Sequence, residues 1–94
     1  MPDVFKALSD PTRREILRLL RHTDLTAGAI ADNFAMSKPS VSHHLSALKA
    51  VGLVHAQRRG QEIVYSLDTT VFQDVIAYLL EMFGSPKEET QDGQ

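Results

Sequence analysis

Residues 25–45 read LTAGAIADNFAMSKPSVSHHL, and this stretch decides the fold. Thr26 can cap a short helix that carries Ile30 and Phe34. Gly28 weakens that helix by about 1 kcal/mol relative to alanine, so tertiary packing must hold it. Ala35 and Met36 form a turn. Ser37 caps a second helix, with Pro39 in its first turn, where a missing amide hydrogen is tolerated. Val41, Leu45 and Leu48 recur at i, i+4 and i+7 as a buried stripe. Gly52 then ends the helix as its C′ residue. Helix, tight turn and second helix make a helix-turn-helix, in which the first helix braces the second against the major groove of DNA.

Toward the N-terminus, Val4, Phe5 and Leu8 give a short apolar helix face. Asp10 caps the next helix, and Pro11 suits its first position. Ile16, Leu17, Leu19 and Leu20 follow at helical spacing. Arg14, Arg18 and Arg21 fall on another face and read as a solvated stripe. Toward the C-terminus, residues 53–58 and 62–67 read as two short strands. In the second, Ile63, Tyr65 and Leu67 alternate with Glu62, Val64 and Ser66. Arg59-Gly60 lies at the turn, where glycine accepts positive φ. Thr70 and Gln73 fit a capping box for a last helix bearing Val71, Phe72, Val75, Ile76, Leu79, Leu80 and Phe83. The expected fold is mainly α with a small β-hairpin wing (α+β): a winged helix-turn-helix of about five helices and two strands. It occupies residues 1–84, and the polar residues 85–94 are expected to form a flexible tail.

With 94 residues, the chain supports one domain around one core. A net charge of −2 argues weakly against a nucleic-acid binder. The distribution of charge reverses that impression. No acid occurs between Asp32 and Glu62, while Lys38, Lys49, Arg58, Arg59, His43, His44 and His55 all lie there. One cationic surface on an acidic body is enough to hold phosphates. The absence of cysteine removes disulfides, thiolate metal sites and thiol redox sensing. No apolar run is long enough to cross a membrane, and the opening residues lack a basic segment followed by an apolar one. A cytoplasmic protein without membrane insertion is expected. No paired-carboxylate, phosphate-loop or nucleophile motif appears, so no enzyme is expected.

A helix that approaches base edges needs small polar side chains near its start. Lys38, Ser40, Ser42 and His43 fit, with His44 beside them at the edge of the helix packing. Ser37 is committed to the cap. Arg58, Arg59 and Gln61 at the wing tip suit phosphates or the minor groove. These eight residues are the expected DNA-binding set. An unperturbed imidazole titrates near pH 6.5, so a histidine at phosphate would raise operator affinity as pH falls through that range.

The order of these motifs resembles the ArsR-type repressors. Asp10-Pro11-Thr12-Arg13-Arg14 resembles the start of those repressors. Ser37, Ser40, Ser42, His44, Leu45 and Leu48 resemble their recognition helix. Gly52-Leu53-Val54 followed by Arg58 and Gly60 resembles their wing. The run of residues 37–45 with Gly60-Gln61 is most similar to the SdpR-type autorepressor branch. The resemblance implies a homodimer that occupies a palindromic double-stranded DNA operator and blocks transcription, often of its own operon. Val4, Phe5, Leu8, Phe72, Val75, Ile76, Leu79 and Phe83 supply apolar surface for the dimer contact.

Many such repressors are released by metals, but the ligands are missing. No Cys-x-Cys pair precedes the turn. At the family's last-helix site, Asp68 is followed by Thr70 where histidine is needed, and Gly84 stands where His or Glu is needed after Glu81. Adjacent His43 and His44 point about 100° apart on a helix. No metal site and no cofactor are therefore expected. The alternatives are a winged-helix module that binds protein and a metal-responsive repressor. The releasing signal stays open among a regulatory protein partner, a small molecule and simple autoregulation.

Overall fold

The computed structural model describes residues 3–84, and the tail expected at residues 85–94 lies outside the described residues. Five helices and three strands follow in the order α1 (Val4–Leu8), α2 (Pro11–Leu20), β1 (Leu25–Thr26), α3 (Ala27–Ala31), α4 (Lys38–Ala50), β2 (Val54–Arg59), β3 (Glu62–Leu67) and α5 (Thr69–Phe83). The molecule is a winged helix-turn-helix, mainly helical with a small antiparallel wing.

Each helix starts on a side chain that accepts its free amides. Asp3 accepts from the Phe5 and Lys6 amides, Asp10 from Arg13, Thr26 from Ala29, Ser37 from Ser40 and Asp68 from Thr70. Pro11 opens α2, and Pro39 lies in the first turn of α4. The core is one cluster built where α2, α3, α4 and β2 meet. Ile16, Ile30, Val41, Leu45, Leu48 and Leu53 are its fully buried large side chains. Val54, Leu17, Leu20 and Ala7 complete it.

The sheet order is β1-β3-β2, antiparallel throughout. Arg59 pairs with Glu62, so Gly60-Gln61 is a two-residue loop. Gly60 has φ +66°, and among the described residues no non-glycine residue has positive φ. Positive φ at the first loop position alone is the type II′ pattern, whose twist matches the strands it joins.

Three local features differ from the sequence reading. Leu25 and Thr26 form a third strand, pairing with Tyr65 and Val64. Helix α3 ends at Ala31, so Phe34 lies in the turn, although it still packs on the core. The cap of α5 is Asp68, two residues before the expected Thr70. The Asp68 amide donates to the Leu53 carbonyl at 3.0 Å, so the chain is still held to the sheet there and turns into the helix at once.

The Arg13 amide holds the Asp10 carboxyl below the usual carboxylate range, and the Thr70 amide does the same for Asp68. Both groups are more acidic folded than unfolded, so the unfolded chain takes up more protons in acid. Their stabilisation is full above the unfolded value of about 3.9 and is lost as pH falls through the lower folded values. The melting temperature should therefore drop below about pH 4. An Asp10→Asn/Asp68→Asn chain, which keeps acceptors at both caps but cannot titrate there, should show a shallower acid slope. Thermal unfolding from neutral pH into acid checks this, and identical slopes would refute it.

Candidate nucleic-acid interface

Helix α4 is sorted by its stripe. Val41, Leu45 and Leu48 are buried against α2 and α3, and the opposite face is left to water. Lys38, Ser40, Ser42 and His43 are all exposed on it. Ser46 is exposed on the same side, three residues beyond His43. The sequence reading stopped at His44, and continuing the same helical count would have added Ser46.

Ser40 is tied locally. Its amide donates to Ser37 Oγ at 3.3 Å, and its own Oγ accepts from the Ser37 hydroxyl at 3.0 Å. The Ser40 proton remains available to an outside acceptor. His44 is half-buried, its side chain 17% exposed. Its Nδ1 accepts from Arg13 Nε at 3.1 Å and lies 3.9 Å from Asp10 Oδ1. The neutral ring therefore carries its proton on Nε2. The two imidazoles of His43 and His44 meet edge-on, with centroids 6.0 Å apart. His44 thus joins the start of α2 to the middle of α4, while His43 faces outward. No sequence signal pointed to Arg13 as the partner, because the contact spans 31 positions.

The wing lies beside this face. Lys38 and Ser42 border one shallow cleft together with Ala27, Gly28 and Ala31. Gln61, Glu62 and Ile63 border another, also with Ala27 and Gly28. The first turn of α3 therefore stands between the start of α4 and the wing tip. Arg58 Nε donates to the Gly60 carbonyl at 3.3 Å, and Arg59 Nη2 reaches Gln57 Oε1 at 3.5 Å. Among the described residues, Lys38, Arg58 and Arg59 enter no ion pair. Glu62, opposite Arg59, is the acid nearest to them along the hairpin. The surface is a cationic, hydroxyl-rich ridge with a basic tip at one end, suited to phosphates flanking a groove.

A second exposed surface is apolar. Helix α5 buries none of its residues fully, and Ile76, Leu79 and Phe83 are 54%, 40% and 69% exposed. Phe5 on α1 is 49% exposed, with its ring centroid 6.0 Å from that of Tyr78. Val4, Leu8 and Phe72 instead pack partly on the core, and Val75 is half-buried. Tyr78, Leu80 and Met82 join the exposed set. Among the described residues, no group of three or more His, Asp or Glu side chains could hold a metal ion, and no helix is long and apolar enough to cross a membrane.

Comparison with known proteins points the same way as the geometry. The family model described as bacterial regulatory protein, arsR family, matches residues 10–56, which run from the cap of α2 into β2. The transcriptional repressor SdpR of Bacillus subtilis (strain 168) is 58% identical over 80 residues, covering 85% of this chain and 89% of that protein. The arsenical resistance operon repressor of Staphylococcus aureus is 36% identical over 76 residues, covering 81% and 73%. An ArsR-like transcriptional regulator from Rhodococcus sp. RHA1 superposes with a TM-score of 0.74 at 36% identity, covering 96% of this chain and 84% of that one.

Proposed function

Since the chain belongs to the bacterial ArsR family of regulatory proteins, we propose that it is a cytoplasmic transcriptional repressor that binds a palindromic operator as a homodimer and controls its own operon. The relatives it matches are regulators, a class without catalysis. One observation carries the DNA-binding reading: an exposed polar face on α4 and the wing tip at Gln61, two residues after Arg59 in the chain, flank the same turn of α3. Lys38, Ser40, Ser42 and His43 meet base edges and nearby phosphates. Arg58, Arg59 and Gln61 meet the flanking backbone. His44 presents Nε2 at the edge of this face and steadies the helix through Arg13. The dimer reading rests on the unburied apolar residues of α1 and α5, which supply a seam. Two-fold symmetry then sets two α4 helices about 34 Å apart, one helical turn of DNA.

Fluorescence anisotropy against the DNA upstream of the chain's own gene tests this. Specific binding should exceed binding to random duplex of equal length by about 10³-fold or more at physiological salt. Equal affinity for both would sink the operator reading. Arg59→Ala should weaken binding to every duplex and reduce the slope of log affinity against log salt by about 1, because one fewer counterion is released. An unchanged slope would place Arg59 off the phosphates.

A further inference from the structure

Along α2, Arg14, Arg18 and Arg21 stand at i, i+4 and i+7 and form one rim of a groove between α2 and α5. The groove encloses about 390 Å³ above a floor of Leu17, Leu67, Phe72 and Ile76. That volume lies within the roughly 300–1,000 Å³ typical of small-molecule sites. The positive rim is barely compensated. Arg18 meets Glu15 at 2.7 Å, but this pair is well exposed and so weakly held. Arg14 donates one Nη1 to the Leu8 carbonyl at 2.9 Å, a neutral acceptor that leaves its charge intact. Arg21 enters no ion pair among the described residues. Among the described residues no acid lines this groove, whereas the cleft on the α1 side of α5 has Asp3 and Asp74 at its edge. Helix α5 therefore has two unlike flanks: an apolar one with acids beside α1, and an apolar one with guanidinium groups beside α2.

We infer that the α2–α5 groove binds a small organic anion with an apolar body, of which a medium-chain carboxylate is the simplest form. The carboxylate accepts from a guanidinium of the Arg14, Arg18 and Arg21 rim, whose planar fork matches it, and the chain lies along Leu17, Phe72 and Ile76. The complementarity is specific in sign. The same rim repels a cationic head on an identical tail, and a short anion lacks the apolar contact. The groove shares Ile76 with the apolar residues proposed for the dimer seam, so the inference rests on a seam centred on Phe5, Tyr78 and Leu79 beside α1, which leaves the α2 flank of α5 open.

Calorimetric titration of the full chain with decanoate, below its micelle range, tests the assignment. One saturable site per chain is expected. Acetate and decyltrimethylammonium should each bind at least tenfold more weakly. Arg14→Gln/Arg21→Gln should weaken decanoate at least tenfold while leaving the circular dichroism unchanged, since both side chains are exposed. Ile76→Ser should weaken decanoate while leaving the preference for anion over cation. Absence of saturation would overturn the proposal, as would equal binding of the cationic amphiphile or decanoate affinity indifferent to the arginines. If decanoate splits an existing dimer, the groove is the seat of a second copy and the proposal falls. It falls also if only an acidic amphipathic peptide, and not decanoate, binds there.

Discussion

Gly52→Ala should cost the fold about 2–5 kcal/mol, a large part of the 5–15 kcal/mol available to a domain of this size. Two independent penalties meet at this residue. Its φ of +80° is a conformation that a side chain destabilises by roughly 1–2 kcal/mol. A methyl group built there would also come within 2.9 Å of Val71 Cγ2. Val71 is β-branched and sits on α5, so it cannot swing aside cheaply, and overpacking of this kind costs about 1–3 kcal/mol. The position matters because Gly52 lets the chain leave α4 and enter β2. Its amide donates to the Lys49 carbonyl at 3.0 Å, and the Leu53 amide donates to the Leu48 carbonyl at 3.0 Å. Urea unfolding at fixed protein concentration checks the loss. Adding Val71→Ala should recover the steric part and leave the backbone part. A change below about 0.5 kcal/mol would mean that neither constraint is felt in solution.

The second large effect concerns assembly. Leu79→Glu places a carboxylate on the proposed seam, where dimerisation would bury it without a partner. Leu79 is already 40% exposed in the single chain, so the fold should tolerate the change. The expected result is a monomer in sedimentation. Affinity for a complete palindrome should fall about 10²–10⁴-fold, because the second half-site is no longer reached at high effective concentration. Affinity for an isolated half-site should hardly move. A dimer that persists, or a palindrome bound as tightly as before, would remove α5 from the seam.

Much of this architecture could be read residue by residue, because the signals are local. Asp10 with Pro11, Thr26, Ser37 with Pro39, Gly52 and Gly60 each state a cap or a turn within a few positions. The stripe of Val41, Leu45 and Leu48 sorts α4 into an inner and an outer face by arithmetic alone. What escaped is non-local or contested. A two-residue strand such as β1 has no periodicity to detect, since its partners Tyr65 and Val64 lie some 40 positions away. Asp68 and Thr70 are both competent caps for α5. The choice falls to Asp68 because its amide is held by Leu53, a constraint invisible in the local pattern. The candidate site divides along the same line. Exposure of Lys38, Ser42 and His43 follows from helical angle, whereas the coupling of His44 to Arg13 and Asp10 depends on how α2 crosses α4.

Thr26 holds two posts at once. Its backbone pairs with Val64 in the sheet, and its hydroxyl accepts the Ala29 amide at 3.1 Å at the head of α3. The hairpin is therefore no free-swinging flap: displacing its base drags on the helix that steadies α4, and in the DNA-binding mode proposed above the two arms act like the jaws of one stiff calliper. In that proposed mode, an operator whose groove is too wide or too narrow must itself be deformed, or the joint between the two proposed protomers must give. Base pairs lying between the two jaws, touched by neither, then influence affinity through how readily the duplex bends.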